Sequence, residues 1–293
     1  AEIEMLVTNV SHVEGRPSLD ATVSEIPDEP TWKASVQKIT HAIEQCELQK
    51  VVLARRMDVT FSDGANPFLF MRHFHAMKSP AYYFCFQLSP EHAFVGSSPE
   101  CLYRRVGRKI TSEALAGTRR RGGTPDTDQA LRASLETSPK DRHEHQLVAE
   151  HIHGALAPLC DTIEPPTEPT VVQLVLVQHL HSSVGGDLHA TTSDRDILSA
   201  LHPTPAVGGV PAAAALRTIQ SLEPFDRGWY AAPLGMITRD TVDLTVAIRS
   251  GLLHGSTLSL YCGAGIVSAS DPSAEWEETE SKFENFLHVI HVE

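Results

Sequence analysis

Cysteine is sparse: the 293 residues hold five, Cys46, Cys85, Cys101, Cys160 and Cys262, an odd number with no CxxC pair. That scarcity argues against a disulfide-stapled scaffold and against a zinc ribbon. It suits a reducing, cytosol-like compartment, or an organelle stroma where a targeting peptide has been removed. Positive charge is also short, with 24 Lys and Arg against 37 Asp and Glu for a formal net charge of -13. The one basic run, Arg119-Arg120-Arg121, is too brief for a phosphate-binding patch, so no nucleic-acid partner is expected. No apolar run approaches the roughly 18 to 20 residues of a membrane helix; the longest candidate, TVVQLVLV from Thr170, is expected as a buried strand. Repeats, Gly/Ser linkers and low-complexity stretches are missing too, which leaves one domain over residues 1–293. The chain starts at Ala1 with neither an initiator Met nor a basic, then apolar, leader, and is expected to be trimmed.

What is present reads as mixed α and β. From Glu29, apolar Trp32, Val36, Ile39 and Ile43 recur near helical spacing behind Pro30. The β-branched run KVVLARRMDVTF from Lys50 predicts a strand, placing Lys50 at a helix-to-strand junction. A helix from Asn66 precedes short strands from Ala81, Ala93 and Glu100, whose spacing suggests antiparallel pairing. Ser138-Pro139 divides the helical stretch from Thr127 to Ala157, so a new helix begins near Lys140. Further on come a helix from Ala212 to Leu222, strands around Trp229, Val242 and Leu258, and a last helix from about Ser273. Strands grouped in hairpins favour α+β over a doubly wound sheet.

Two acidic pairs stand out. Glu275, Glu278 and Lys282 project from one side of the last helix, and Asp141 and Glu144 share the first-turn face of the helix near Lys140. A single charged helix face is commonly just solvated. Two carboxylate-bearing helices, however, can converge on a hard cation such as magnesium, which takes oxygen ligands and keeps several waters. GAGIVS from Gly263 lacks the helix and the acidic residue that a dinucleotide loop needs. The histidines of His143-Glu144-His145 lie on divergent faces and cannot share a zinc ion.

The strings KVVLARR, SSPE, EALAGT, KDRHEH, LHPTPAVGG, EPFDRGWY, AIRSG, YCGAGIVSASDP and EWEETESK occur in the order seen in chorismate-utilising enzymes. By these blocks the chain resembles that family from Trp32 to Leu287, and it is most similar to isochorismate synthases of the menaquinone type. The resemblance implies large antiparallel sheets packed as a sandwich with helices outside, and a cleft between the sheets that binds chorismate with Mg2+. It implies Glu144 and Glu278 as metal ligands, with Asp141 and Glu275 holding metal-bound waters. Arg249, assisted by Tyr230, would take the enolpyruvyl carboxylate through its planar fork. Gly117, Thr118, Gly263 and Lys282 match other substrate-carboxylate positions, and His179 lies beside the ring.

The implied reaction brings water to C2 of chorismate while the C4 hydroxyl leaves. Lys50 matches the base and Glu100 the acid. To act so near neutral pH, Lys50 must shed its proton and Glu100 must keep its own. Without the family blocks, Lys50 reads as a strand-edge lysine and Glu100 as a turn residue. Ala116 stands where amine-transferring branches carry a lysine nucleophile, and Ala206 where lyase and amine-forming branches carry a threonine, so isochorismate is the expected end product. The resemblance further implies a monomer with no glutaminase subunit, and family members extend further before the Lys50 block. Salicylate synthase, anthranilate synthase-like activity, or a non-catalytic chorismate-binding fragment are the alternatives.

Overall fold

The computed structural model describes residues 21–62 and 64–290; the first twenty and last three residues of the expected 1–293 domain lie outside that range. In chain order the strands are β1 (Ala21–Ile26), β2 (Lys50–Phe61), β3 (Tyr82–Ser89), β4 (His92–Ser98), β5 (Cys101–Val106), β6 (Lys109–Arg120), β7 (Cys160–Ile163), β8 (Thr170–Gln173), β9 (Val177–Leu188), β10 (Gly209–Val210), β11 (Pro233–Ile237), β12 (Thr241–Val246), β13 (Ser250–His254) and β14 (Thr257–Ile266). The helices are α1 (Glu29–Glu44), α2 (Pro67–Ala76), α3 (Pro125–Thr137), α4 (Pro139–Leu156), α5 (Asp194–Leu201), α6 (Ala212–Leu222) and α7 (Pro272–Ile290). One seven-stranded sheet runs β1-β2-β14-β13-β4-β3 with β10 beside β2; the other runs β11-β12-β5-β6-β9-β7 with β8 beside β9. Every pairing between strands is antiparallel, as the hairpin spacing in the sequence suggested.

Strand β2 shows how the layers arise. Its odd positions Val51, Leu53, Met57, Val59 and Phe61 are buried against helices, because successive side chains alternate between faces. Trp32, Val36 and Ile39 of α1 and Ala215 and Ile219 of α6 cover one end of that face; Phe70 and Phe74 of α2 and Phe283 and Phe286 of α7 cover the other. Its even positions turn toward the second sheet, where Ala54 joins a core shared with Tyr103, Ile110, Ala114 and Val184. That core is closed from outside by Val148, Ile152 and Leu156 of α4. The predicted sandwich with outer helices is therefore present.

Local signals held where capping chemistry was visible. Ser138 accepts from the Asp141 N–H at 3.3 Å, and Pro139 occupies the first turn, so α4 begins where the sequence placed it. Two expectations need correcting. TVVQLVLV is no continuous buried strand: β8 ends at Gln173, and Leu174 N–H closes a tight turn onto the Val177 carbonyl at 2.8 Å before β9 begins. An unbroken apolar run hides a hairpin whose turn carries apolar residues, and Val175 at its tip is 40% exposed. Trp229 is not in a strand either; it sits in the turn before β11, edge-on to Phe86 and Phe94. Ile152 is 1% exposed and lies at the centre of the α4 seam. Ile152→Ala should therefore cost about 2–5 kcal/mol in urea unfolding, and a loss below about 1 kcal/mol would show the seam to be loosely packed.

Candidate active site

Between the sheets lies a cavity with about 70 Å³ of free interior space, which opens outward to solvent. Thirteen of the residues singled out in the sequence line it: Lys50, Glu100, Ala116, Gly117, Thr118, Glu144, His179, Ala206, Tyr230, Arg249, Gly263, Glu278 and Lys282. They come from both sheets and two helices, so only the folded sandwich assembles them.

Lys50 opens β2, where β10 pairs alongside with Val210 opposite Lys50. A Cβ on Gly209 would lie 2.2 Å from the Lys50 carbonyl oxygen, so glycine is what lets this short strand approach. The ammonium, 1% exposed, meets Glu144 Oε1 of α4 at 3.0 Å. Room for that pair comes from β14, where Gly263 and Gly265 share the cavity face. A Cβ on Gly265 would stand 1.9 Å from Glu144 Oε1 and 3.0 Å from Lys50 Cε; one on Gly263 would stand 3.0 Å from the Tyr230 hydroxyl.

Glu100 occupies the two-residue link between β4 of one sheet and β5 of the other, which is why its side chain ends up between them. Its carbonyl accepts from Val246 N–H at 3.1 Å and Thr245 Oγ1 at 2.6 Å, fixing the link. The carboxyl is 2% exposed. Burial pushes its pKa up to about 8 against the opposing pull of Lys50, with Glu113 adding to the rise. At neutral pH it is a carboxylic acid with a proton to give.

Arg249 lies between β12 and β13 with φ of 48°, a left-handed conformation that a long side chain adopts only under constraint. Its guanidinium donates to His179 Nε2. The other ring nitrogen, Nδ1, is 3.2 Å from both the Gly117 carbonyl and Thr118 Oγ1, which sets the proton on Nδ1. Burial, with Arg249 and Lys282 adding to it, holds His179 well below its ordinary pKa, so the ring is neutral. Burial also lowers Arg249 to about 10. Gly117, at φ of 76°, forms the bulge in β6 that exposes these backbone groups.

On α7, Lys282 Nζ donates to Glu278 Oε1 at 2.7 Å and to the Gly263 carbonyl at 2.8 Å. Burial works to raise Glu278, but Lys282, Lys140 and Arg119 outweigh it and hold the carboxylate below its ordinary range. Asp141 and Glu275 do not line the cavity. Asp141 pairs with Arg119 Nη2 at 2.7 Å, and Glu275 pairs with Lys140. Carboxylates buried to 0% and 1% exposure need such counter-charges. Among the described residues no group of three or more His, Cys, Asp or Glu is gathered to hold a metal. Lys140 instead stands amid acids: burial opposes its charge, yet Glu275, Glu278 and Glu144 together keep it above the usual lysine range. Sequence reading missed Gly265, Lys140 and Arg119. Gly265 was legible as the second small residue on the Gly263 face; the two cations lay inside blocks already recognised, KDRHEH and the basic run.

Glu100 predicts a pH-dependent stability. Its folded-state pKa of about 8 lies above the unfolded one, so its contribution is complete below the ordinary carboxyl range and is lost as pH rises through about 8. Glu100→Gln should raise the Tm relative to the parent above pH 8 and change it little in acid; an equal change at both ends would contradict a buried, protonated Glu100.

The family described as "Chorismate binding enzyme" matches residues 2–291. Isochorismate synthase, chloroplastic, of Catharanthus roseus is 37% identical over 296 residues, covering 99% of this chain and 51% of that protein. Isochorismate synthase MenF of Bacillus subtilis is 36% identical over 264 residues, 90% of this chain and 56% of that protein. The chain thus spans about half the length of these relatives. The structure of MenF, the menaquinone-specific isochorismate synthase from Escherichia coli, superposes with a TM-score of 0.86 at 32% identity, covering 99% of this chain and 68% of that one. With the matching sandwich, cavity and ordered sequence blocks, these likenesses establish that the chain belongs to the chorismate-binding enzyme family.

Proposed function

We propose that this chain is the catalytic unit of an isochorismate synthase, which converts chorismate to isochorismate with magnesium. The observation that carries the reading is that one cavity is lined together by Glu100, a carboxyl whose pKa burial pushes up to about 8, by the buried amine of Lys50 and by the buried guanidinium of Arg249. In this reading Arg249 grips the enolpyruvyl carboxylate with parallel N–H donors, and neutral His179 holds that guanidinium in place. Lys282 and the backbone around Gly117, Thr118 and Gly263 receive the remaining carboxylate contacts. Lys50 takes a proton from water as its oxygen bonds to C2, both ring double bonds shift (C1=C2 to C1=C6 and C5=C6 to C4=C5), and the C4–O bond breaks. Glu100 protonates the departing hydroxyl, so one water enters and one leaves. Lys50 is a base only when neutral, so its ion pair with Glu144 must loosen in the working state.

Glu144 and Glu278 fit magnesium: both are oxygen donors, both face the cavity from separate helices, and together with Glu275 their negative charge already favours a nearby cation of the chain, Lys140. Asp141 and Glu275, one turn earlier on the same helices, are the candidates for water-mediated contacts. Magnesium, when bound, supplies positive charge that anchors the ring carboxylate. Ala116 and Ala206 both border the site, and neither methyl offers a nucleophile or a hydroxyl, which supports water as the attacking group. The Phe225–Gly235 block supports the menaquinone-type branch.

Incubating the protein with chorismate and magnesium should yield isochorismate and no fluorescent aromatic acid. An aromatic product would favour the salicylate or anthranilate synthase reading, and tight chorismate binding without turnover a non-catalytic fragment. Lys50→Ala and Glu100→Gln should each lower kcat by about 10²–10⁴ with KM little changed. Undiminished turnover in either variant would refute its role. Chelation of magnesium should abolish product formation and its re-addition restore it, while full activity in chelator would remove the metal from the reaction.

A further inference from the structure

We infer that Arg55 is a positioning residue: by gripping one face of α7 it sets the rotation of that helix and so aims Glu278 and Lys282 into the cavity. The inference rests on the function proposed above. Arg55 sits on the helix-facing side of β2, 0% exposed. Its guanidinium lies 3.1 Å from the ring centroid of Trp276 and 5.4 Å from that of Phe283. It donates to Thr279 Oγ1 at 2.6 Å, Glu280 Oε1 at 2.6 Å and Glu25 Oε2 of β1 at 3.0 Å.

The α7 residues that meet Arg55, namely Trp276, Thr279 and Glu280 with Phe283, follow helical spacing along one stripe. Glu275, Glu278 and Lys282 form the neighbouring stripe, each one residue earlier and turned by about 100°. Rotating α7 by one residue, about 100°, would bring the Arg55-facing stripe to the place of the acidic one and carry Glu278 and Lys282 out of the cavity. Apolar packing alone tolerates small rotations, whereas a stacked, hydrogen-bonded cation tolerates few, since each donor has a fixed direction. Burying a cation here also costs desolvation that an apolar side chain of similar volume would avoid, so bulk stability is a poor reason for arginine at this place. Its directional bonds are the gain. Lys50 opens the same strand, so Arg55 ties the helix bearing the metal carboxylate to the strand bearing the proposed base.

Arg55→Lys keeps the charge and loses the planar stack; Glu280→Gln keeps the stack and loses the ion pair. Both variants call for thermal melts, hydrogen exchange of metal-free protein, magnesium calorimetry without chorismate, and kcat and KM at saturating magnesium. In folded variants we expect magnesium affinity to fall about 10- to 100-fold, α7 amides to exchange faster while α4 amides do not, and KM to stay within about twofold. Parent-like magnesium affinity and α7 exchange in a cooperatively melting variant would overturn the inference, as would losses in Tm, metal affinity and KM that run in parallel. If Arg55→Lys fails to fold, Glu280→Gln alone decides. A parent protein that binds no magnesium would instead sink the reading of the cavity, and this inference with it.

Discussion

The cleft can hold Lys50 only because Glu144 reaches it from α4, and much of the site's architecture follows from that one contact. An ammonium at 1% exposure has lost its water, a cost of several kcal/mol unless a carboxylate replaces it. The same requirement recurs around the cavity: Glu278 with Lys282, Asp141 with Arg119, Glu275 with Lys140. Each pair spans or braces elements that meet at the cleft, so charge balance and the placement of helices on sheets are one constraint. Among the described residues Glu100 differs in having no such ion pair. Burial also raises Glu275, to about 7 despite Lys140, but Glu100, without a paired cation, is raised further, to about 8, which favours the protonated state a proton donor needs.

Three of the site's groups sit at breaks in regular structure. Glu100 is in the link where the chain crosses between sheets, Gly117 in a bulge, and Arg249 in a left-handed residue between two strands. Strand interiors supply the packing, and the breaks free side chains and backbone groups to face the cavity. The glycines of β14 act in the complementary way, leaving the cavity floor without side chains where Glu144 and Tyr230 must fit.

Much of this was legible in the sequence, for definable reasons. The start of α4 showed in Ser138-Pro139, because capping chemistry is local. The core face of α1 showed in the spacing of Trp32, Val36 and Ile39. Strand order was not legible, since it depends on contacts far apart in the chain: nothing near Glu100 says that β4 and β5 belong to different sheets. Strand β6 carried no clear strand signal, its alanines and Gly117 being weak β formers, and the apolar turn at Val175 disguised a hairpin. The lining residues were identified through family resemblance; the counter-charges Arg119 and Lys140 needed the fold.

The most direct measurement is a crystal structure of this chain with magnesium and chorismate. We expect a metal ion on the Glu144 and Glu278 carboxylates and on a substrate carboxylate, with the ring between Lys50 and Glu100 and the Lys50–Glu144 pair opened. A ligand bound elsewhere, or a metal held by other residues while Lys50 and Glu144 stay paired, would contradict it.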